Sequence, residues 1–204
     1  MSAARNQLRE VVIIASGGAN TASLQFALER LGASSVVAAD AKTIRSASHV
    51  ILPGVGAAAD AMSRLRRQGL NAVIPSLQQP VLGVCLGMQL LYEASEEGCT
   101  NCLGIIPGRA SRFAPRADRP VPHMGWNTLG IERPCPLLEG MRPGDYAYFV
   151  HSYSLALSSA TIASSNYGDP FSACVQWRNF YGAQFHPERS AKVGARLLEN
   201  FLRL

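Results

Sequence analysis

The chain's 204 residues suffice for one α/β domain that buries most of its apolar surface, and with 48% hydrophobic and 16% charged residues there is no room for long disordered segments. Residues 1–10 are polar and no apolar run approaches the thickness of a bilayer; this excludes a signal peptide and a membrane anchor, leaving a short tail, a single domain over residues 11–204 and a cytoplasmic location as the expectation. The net charge of +5 and pI near 9.2 admit nucleic acid as a partner, but 17 of the 19 basic residues are arginines spread along the chain rather than gathered in one stripe, which argues against it.

Val11, Val12, Ile13 and Ile14 read as a buried strand, followed by a Ser16-Gly17-Gly18 turn and a helix cap at Asn20 or Thr21. Leu24, Ala27, Leu28 and Leu31 then recur at helical spacing until Gly32 stops the helix, which completes one β-α unit. Residues 36–39 and 49–52 predict two further strands, residues 57–68 a helix closed by Gly69, and residues 81–84 a fourth strand. This alternation predicts an open, mostly parallel sheet flanked by helices, with ligands at the carboxyl ends of its strands. Beyond Gly98, short strands near 103–106, 110–113, 146–151, 160–164, 171–177 and 180–185 are separated by Pro and Gly turns, so additional short antiparallel strands are expected in the second half. A last helix begins at Ser190 and buries Val193, Leu197 and Phe201.

The most informative residue is Cys85, in Val81-Leu82-Gly83-Val84-Cys85-Leu86-Gly87-Met88-Gln89. A buried strand runs through Gly-x-Cys-x-Gly into an apolar helix, the thiol version of a nucleophile elbow, where the helix N-terminus favours a thiolate. A cysteine at a strand end can also be a small buried hydrophobe, and the elbow alone does not separate the two. A second constellation does. In Gln184-Phe185-His186-Pro187-Glu188, a base and a carboxylate two residues apart can project to one side of an extended segment, as a cysteine nucleophile requires. His123 and His151 are rival bases, but neither has an acid two residues on.

Pro53-Gly54-Val55-Gly56 follows a predicted strand directly, and its glycines let backbone N–H groups approach a ligand. Beside a thiolate, the N–H of Val55 or Gly56 and that of Leu86 are candidate oxyanion donors. No Lys-Ser/Thr follows the glycines, so this is not a phosphate loop. Five cysteines, at 85, 99, 102, 135 and 174, make a poor disulfide framework and suit a reducing compartment. Cys99-x-x-Cys102 lacks a second pair at zinc-finger spacing, which argues against a metal or redox role there, and thiol chemistry of this kind requires neither a metal nor an organic cofactor. Arg109, Arg112, Arg116 and Arg119 surround one aromatic, Phe113, and read as a solvated loop, with a partner subunit as the better occupant if anything binds there.

These blocks resemble the glutamine amidotransferases with a Cys-His-Glu triad, over residues 11–204. More narrowly, Pro53-Gly54-Val55-Gly56, His123-Met124-Gly125-Trp126-Asn127 and Tyr148-Phe149-Val150-His151-Ser152-Tyr153 are similar to the glutaminase subunits of imidazole glycerol phosphate synthases. The resemblance implies hydrolysis of L-glutamine through a cysteinyl thioester and delivery of ammonia to a separate (β/α)8-barrel cyclase subunit in a heterodimer. It implies that Gln89 and Glu97 lie near the α-amino and α-carboxylate ends of glutamine, that Ser152 and Tyr153 contact it through their backbone, and that Trp126 and Arg189 lie close to the partner. From the residues alone, Trp126 could equally be packed in the core. A glutaminase of another biosynthetic pathway and a catalytically silent interaction module are the alternatives. One departure stands out: where family members usually carry Asp-Tyr-Gly after the first strand, this chain has Ala15-Ser16-Gly17, with Asn20 retained. The departure bears on the interface and on coupling to the partner, and leaves the triad untouched.

Overall fold

A computed structural model describes residues 10–17 and 21–204. In chain order the first half comprises β1 (Glu10–Ile14), α1 (Thr21–Arg30), β2 (Ser34–Ala38), α2 (Ala41–Ser46), β3 (His49–Gly54), α3 (Ala58–Arg67), α4 (Leu70–Val73), β4 (Val81–Cys85) and α5 (Leu86–Leu90). There follow β5 (Tyr92–Ser95), β6 (Thr100–Asn101), β7 (Ile106–Arg112), β8 (His123–Thr128), β9 (Gly130–Ile131), β10 (Tyr146–His151) and β11 (Tyr153–Leu155). The chain closes with β12 (Thr161–Tyr167), β13 (Asp169–Trp177), β14 (Phe180–Ala183) and α6 (Ala191–Leu202).

Eight strands form the central sheet in the order β2-β1-β3-β4-β14-β13-β12-β9. The pairings from β2 to β14 are parallel and those from β14 to β9 antiparallel. Both faces of the parallel half are buried, which is why β1, β3 and β4 read as continuous apolar runs. Side chains alternate between two cores: Val11 and Ile13 meet α1 and α6 through Leu28, Leu197 and Phe201, while Val12 and Ile14 meet Ile44 of α2 and Met62 and Leu65 of α3. Only β2, at the edge, is largely exposed. Two smaller sheets, β10-β8 and β11-β7-β5-β6, lie outside the central one.

Parallel neighbours end at the same edge of a sheet, so β3, β4 and β14 deliver Pro53–Gly56, Cys85 and the segment leading to His186 to one place. Gly54 is in register with Cys85, and Ala183 with Val84. The turn from β4 into α5 is jammed against β3: a Cβ on Gly87 would stand 1.8 Å from Leu52 O, and one on Gly83 would stand 2.7 Å from Gly87 O. Gly87→Ala is therefore expected to destabilise the fold by about 3 kcal/mol, the upper end of ordinary overpacking. By contrast, Gly32→Ala, at φ +75° in open space, should cost about 1 kcal/mol. Urea midpoints compare the two, and a Gly87→Ala protein as stable as the wild type would contradict the packing described.

Several expectations from sequence need correction. Residues 103–105 are not a strand, because their N–H groups turn back to the carbonyls of Leu90, Tyr92 and Leu91, with Gly104 at φ +65°. The strands expected at 103–106 and 110–113 are replaced by one, β7. The His123–Asn127 motif, which was not among the expected strands, forms most of β8, paired antiparallel with β10 from Tyr146↔Thr128 to His151↔His123. β5 and the short helices α2 and α4 were not anticipated. The apolar helix after Cys85 is short, five residues, before the chain enters β5. Residues 1–9 of the expected tail and the Asn20 cap lie outside the described residues.

Candidate active site

Cys85 ends β4 with φ 54° and ψ −115°, a conformation that L-residues rarely adopt and that costs on the order of 1–3 kcal/mol. The surrounding glycines make it possible. The residue is 7% exposed, with Sγ 3.7 Å from Val150 O and 3.9 Å from Gln184 Nε2. Leu86 opens α5, so its N–H has no partner within the helix.

His186 follows β14, and its own N–H donates to Tyr148 O at 3.0 Å. Ser190 Oγ donates to His186 O at 2.7 Å and accepts from Tyr148 N at 2.9 Å, so the turn carrying the imidazole is tied to β10 on both sides. Glu188 Oε1 accepts from His186 Nδ1 at 2.9 Å. That bond places the proton on Nδ1 and presents Nε2 to Cys85. Burial works against the imidazolium, but the hydrogen bonds to Cys85 and Glu188 and their negative charges outweigh it, so the imidazole is held well above its ordinary range.

A cavity of about 290 Å³ opens in front of the thiol. Cys85 and His186 line it, together with Val55, Gly56 and Leu86 and with Gln89, Glu97, Ser152 and Tyr153. Glu188 is behind the imidazole, on a second cavity of about 210 Å³ that shares Val55, Val150 and His186 with the first and reaches Arg189. The residues singled out for chemistry and substrate thus line these two adjoining cavities, with the acid bonded to the base on the second.

The chain matches the family model for glutamine amidotransferase class-I over residues 12–204. It is 51% identical, over 97% of its length and 98% of the relative's, to the imidazole glycerol phosphate synthase subunit HisH of Xylella fastidiosa. It belongs to the HisH family of class-I glutamine amidotransferases. HisH of Xanthomonas oryzae pv. oryzae is 50% identical over the same shares of the two chains. A crystal structure of a glutamine amidotransferase, 19% identical, superposes over 95% of this chain and 97% of that one with a TM-score of 0.73, which extends the likeness to the fold.

In this HisH-family chain the rival histidines have other work. Asn127 Nδ2 lies 3.3 Å from His123 Nε2, His123 Nδ1 lies 3.0 Å from His151 Nε2, and His151 Nδ1 lies 2.8 Å from Tyr153 O. Read from the amide donor, each ring accepts on Nε2 and donates from Nδ1. Burial lowers His123 to about 4 and His151 to about 3, so both are neutral and neither nitrogen pair is free for Cys85. His151 nevertheless lines the first cavity, as do Pro122 and Val150, which the sequence did not single out.

Gln184 is the other residue overlooked. It is fully buried, donates from Nε2 to Cys85 Sγ, and accepts on Oε1 from Gln89 Nε2 at 3.0 Å; the same Gln89 nitrogen donates to Tyr153 O at 2.9 Å. Its position two residues before His186 was the available signal, since alternate residues of an extended segment share a face.

Trp126 is 52% exposed and not part of the core. Its ring meets Tyr148 edge-on at 5.8 Å, and the Arg189 guanidinium stands 5.0 Å from the Tyr148 ring centre, so the two expected interface residues share one exposed strip. In the departing stretch, Ser16 is buried, and Ser16 Oγ donates to Pro53 O at 2.7 Å, bracing the loop that carries Val55 and Gly56. Phe113 turns inward against His151, Tyr167 and Phe171, which leaves its neighbouring arginines without an aromatic platform. All five cysteines are free thiols, and burial raises Cys102 to about 11. Among the described residues no group of three or more His, Cys, Asp or Glu side chains could hold a metal, and no helix is long and apolar enough to cross a membrane.

Proposed function

We propose that this chain hydrolyses L-glutamine to glutamate and ammonia and delivers the ammonia to a cyclase subunit that forms imidazole glycerol phosphate and aminoimidazole carboxamide ribotide in histidine biosynthesis. The observation that carries the reading is Cys85 on a strained elbow, facing His186 with Glu188 behind it, in a chain half identical to HisH subunits over nearly its whole length. Residues 11–204 act as one domain.

Cys85, as thiolate, attacks the side-chain amide carbon of glutamine, and the amide π electrons move to oxygen. The resulting oxyanion is held by the N–H of Leu86 and one from Val55 or Gly56. His186 gives its proton to the leaving ammonia, and the C–N bond breaks to leave a γ-glutamyl thioester. His186 then takes a proton from water as the water attacks, and collapse of the second tetrahedral intermediate releases glutamate and returns the thiolate. Gln89, Glu97, Ser152 and Tyr153 hold the α-amino and α-carboxylate groups. The ammonia acceptor is a separate (β/α)8-barrel subunit in a heterodimer, and Trp126 and Arg189 lie in the contact with it.

The isolated chain should be slow. The Gly54–Val55 peptide, which carries the Val55 N–H, is flanked by glycines at 54 and 56, so it can rotate between presenting the Gly54 carbonyl and presenting that N–H, and one misdirected oxyanion donor slows hydrolysis by roughly 10²–10³-fold. Steady-state glutamate release is to be measured for the chain alone, with the cyclase, and with the cyclase plus a ligand of its site. Stepwise acceleration is expected, with Val55→Pro, which lacks that N–H, slow throughout. Equal rates in all three conditions would sink the gating.

A further inference from the structure

Glu97 connects the substrate wall to the oxyanion loop. It stands on a single 3₁₀ turn, Glu97–Cys99, and lines the cavity, yet its carboxylate also reaches α3, where Oε2 accepts the Ala58 N–H at 2.7 Å. Ala57, at the N-cap position of α3, makes no side-chain bond to the helix, so Glu97, 39 positions beyond Ala58, supplies the acceptor. Its backbone is fixed in turn: Glu97 N–H donates to Ser95 Oγ at 3.1 Å, and Glu97 O accepts from Thr100 Oγ1 at 2.6 Å, with both partners buried. The Pro53–Gly56 loop therefore has one anchor at Pro53, through Ser16 Oγ, and another just beyond it at Ala58, through Glu97, with Gly56 at φ +86° between them.

We infer that Glu97 is a positioning residue for the oxyanion donors, and that its carboxylate couples the α-amino end of bound glutamine to the geometry of the Val55–Gly56 segment. The inference rests on the reading of the preceding section, in which that segment supplies an oxyanion donor. A residue that only bound the amino group would act on the affinity for glutamine; one that also holds the loop acts on the chemical step.

Two substitutions in the full chain, assayed for glutamate release in complex with the cyclase, separate the roles. Glu97→Gln keeps an oxygen able to accept the Ala58 N–H but removes the charge facing an ammonium; it is expected to raise KM for glutamine by about tenfold and leave kcat within about twofold. Glu97→Ala removes both, and should raise KM similarly while lowering kcat by roughly 10–100-fold. Backbone hydrogen exchange over residues 55–59 should quicken in Glu97→Ala and not in Glu97→Gln. A normal kcat in Glu97→Ala, or an equal fall of kcat in both variants, would overturn the inference while leaving the glutaminase reading intact. A wild-type complex that released no glutamate would overturn both.

Discussion

Cys85→Ala is expected to abolish glutamine hydrolysis, with a loss on the order of 10⁶-fold by analogy with nucleophile deletions in serine triads, and to leave the fold and partner binding intact. The thiol is the only atom that changes, and its neighbours are the weak contacts to Val150 O and Gln184 Nε2, so the stability change should stay within about 1 kcal/mol. The decisive comparison is between two nitrogen sources. Glutamine-dependent synthesis by the complex should vanish, whereas synthesis from added ammonia, which bypasses this subunit, should persist. Glutamate release near the wild-type rate in Cys85→Ala would remove the central assignment.

The second large effect is expected at His186. His186→Ala removes the group that moves both protons and should cost about as much as loss of the nucleophile; Glu188→Gln, which perturbs only the tautomer and the stabilisation of the cation, should cost about 10⁴-fold or less. The pH dependence follows from the sign of the shift. His186 is raised to about 10, so its ion pairs contribute stability fully below the free imidazole value near 6.5 and lose it as pH rises through the raised value. In Glu188→Gln the carboxylate's share of that shift disappears, and the alkaline limb of the kcat/KM profile should move to lower pH. A silent Glu188→Gln together with a His151→Ala protein that folds but cannot hydrolyse glutamine would mean that the wrong histidine had been chosen.

How much of this was legible in the sequence can be judged from particular residues. The elbow at Cys85 and the His186-x-Glu188 pair are local: a glycine-flanked turn and a two-residue spacing constrain geometry over a few bonds. Tertiary neighbours were less accessible. Gln184 and Cys85 lie 99 positions apart, and only the insertion of β14 beside β4 makes them touch. The His123–Thr128 strand was missed because its apolar and polar residues and its Gly125 at φ +141° give weak local preference, and pairing with β10 overrides it.

By itself, then, the sequence determined the candidate residues for the chemistry, the β-α alternation and the apolar runs of a sheet buried on both faces, because backbone sterics and side-chain periodicity act within a few residues. Only the tertiary structure decided which strands are neighbours, that Glu97 caps α3, that His123 and His151 are neutral links to Tyr153, and that Trp126 faces solvent. Those outcomes depend on which distant segments satisfy one another's hydrogen bonds and bury one another's apolar surface, a competition settled across the whole chain.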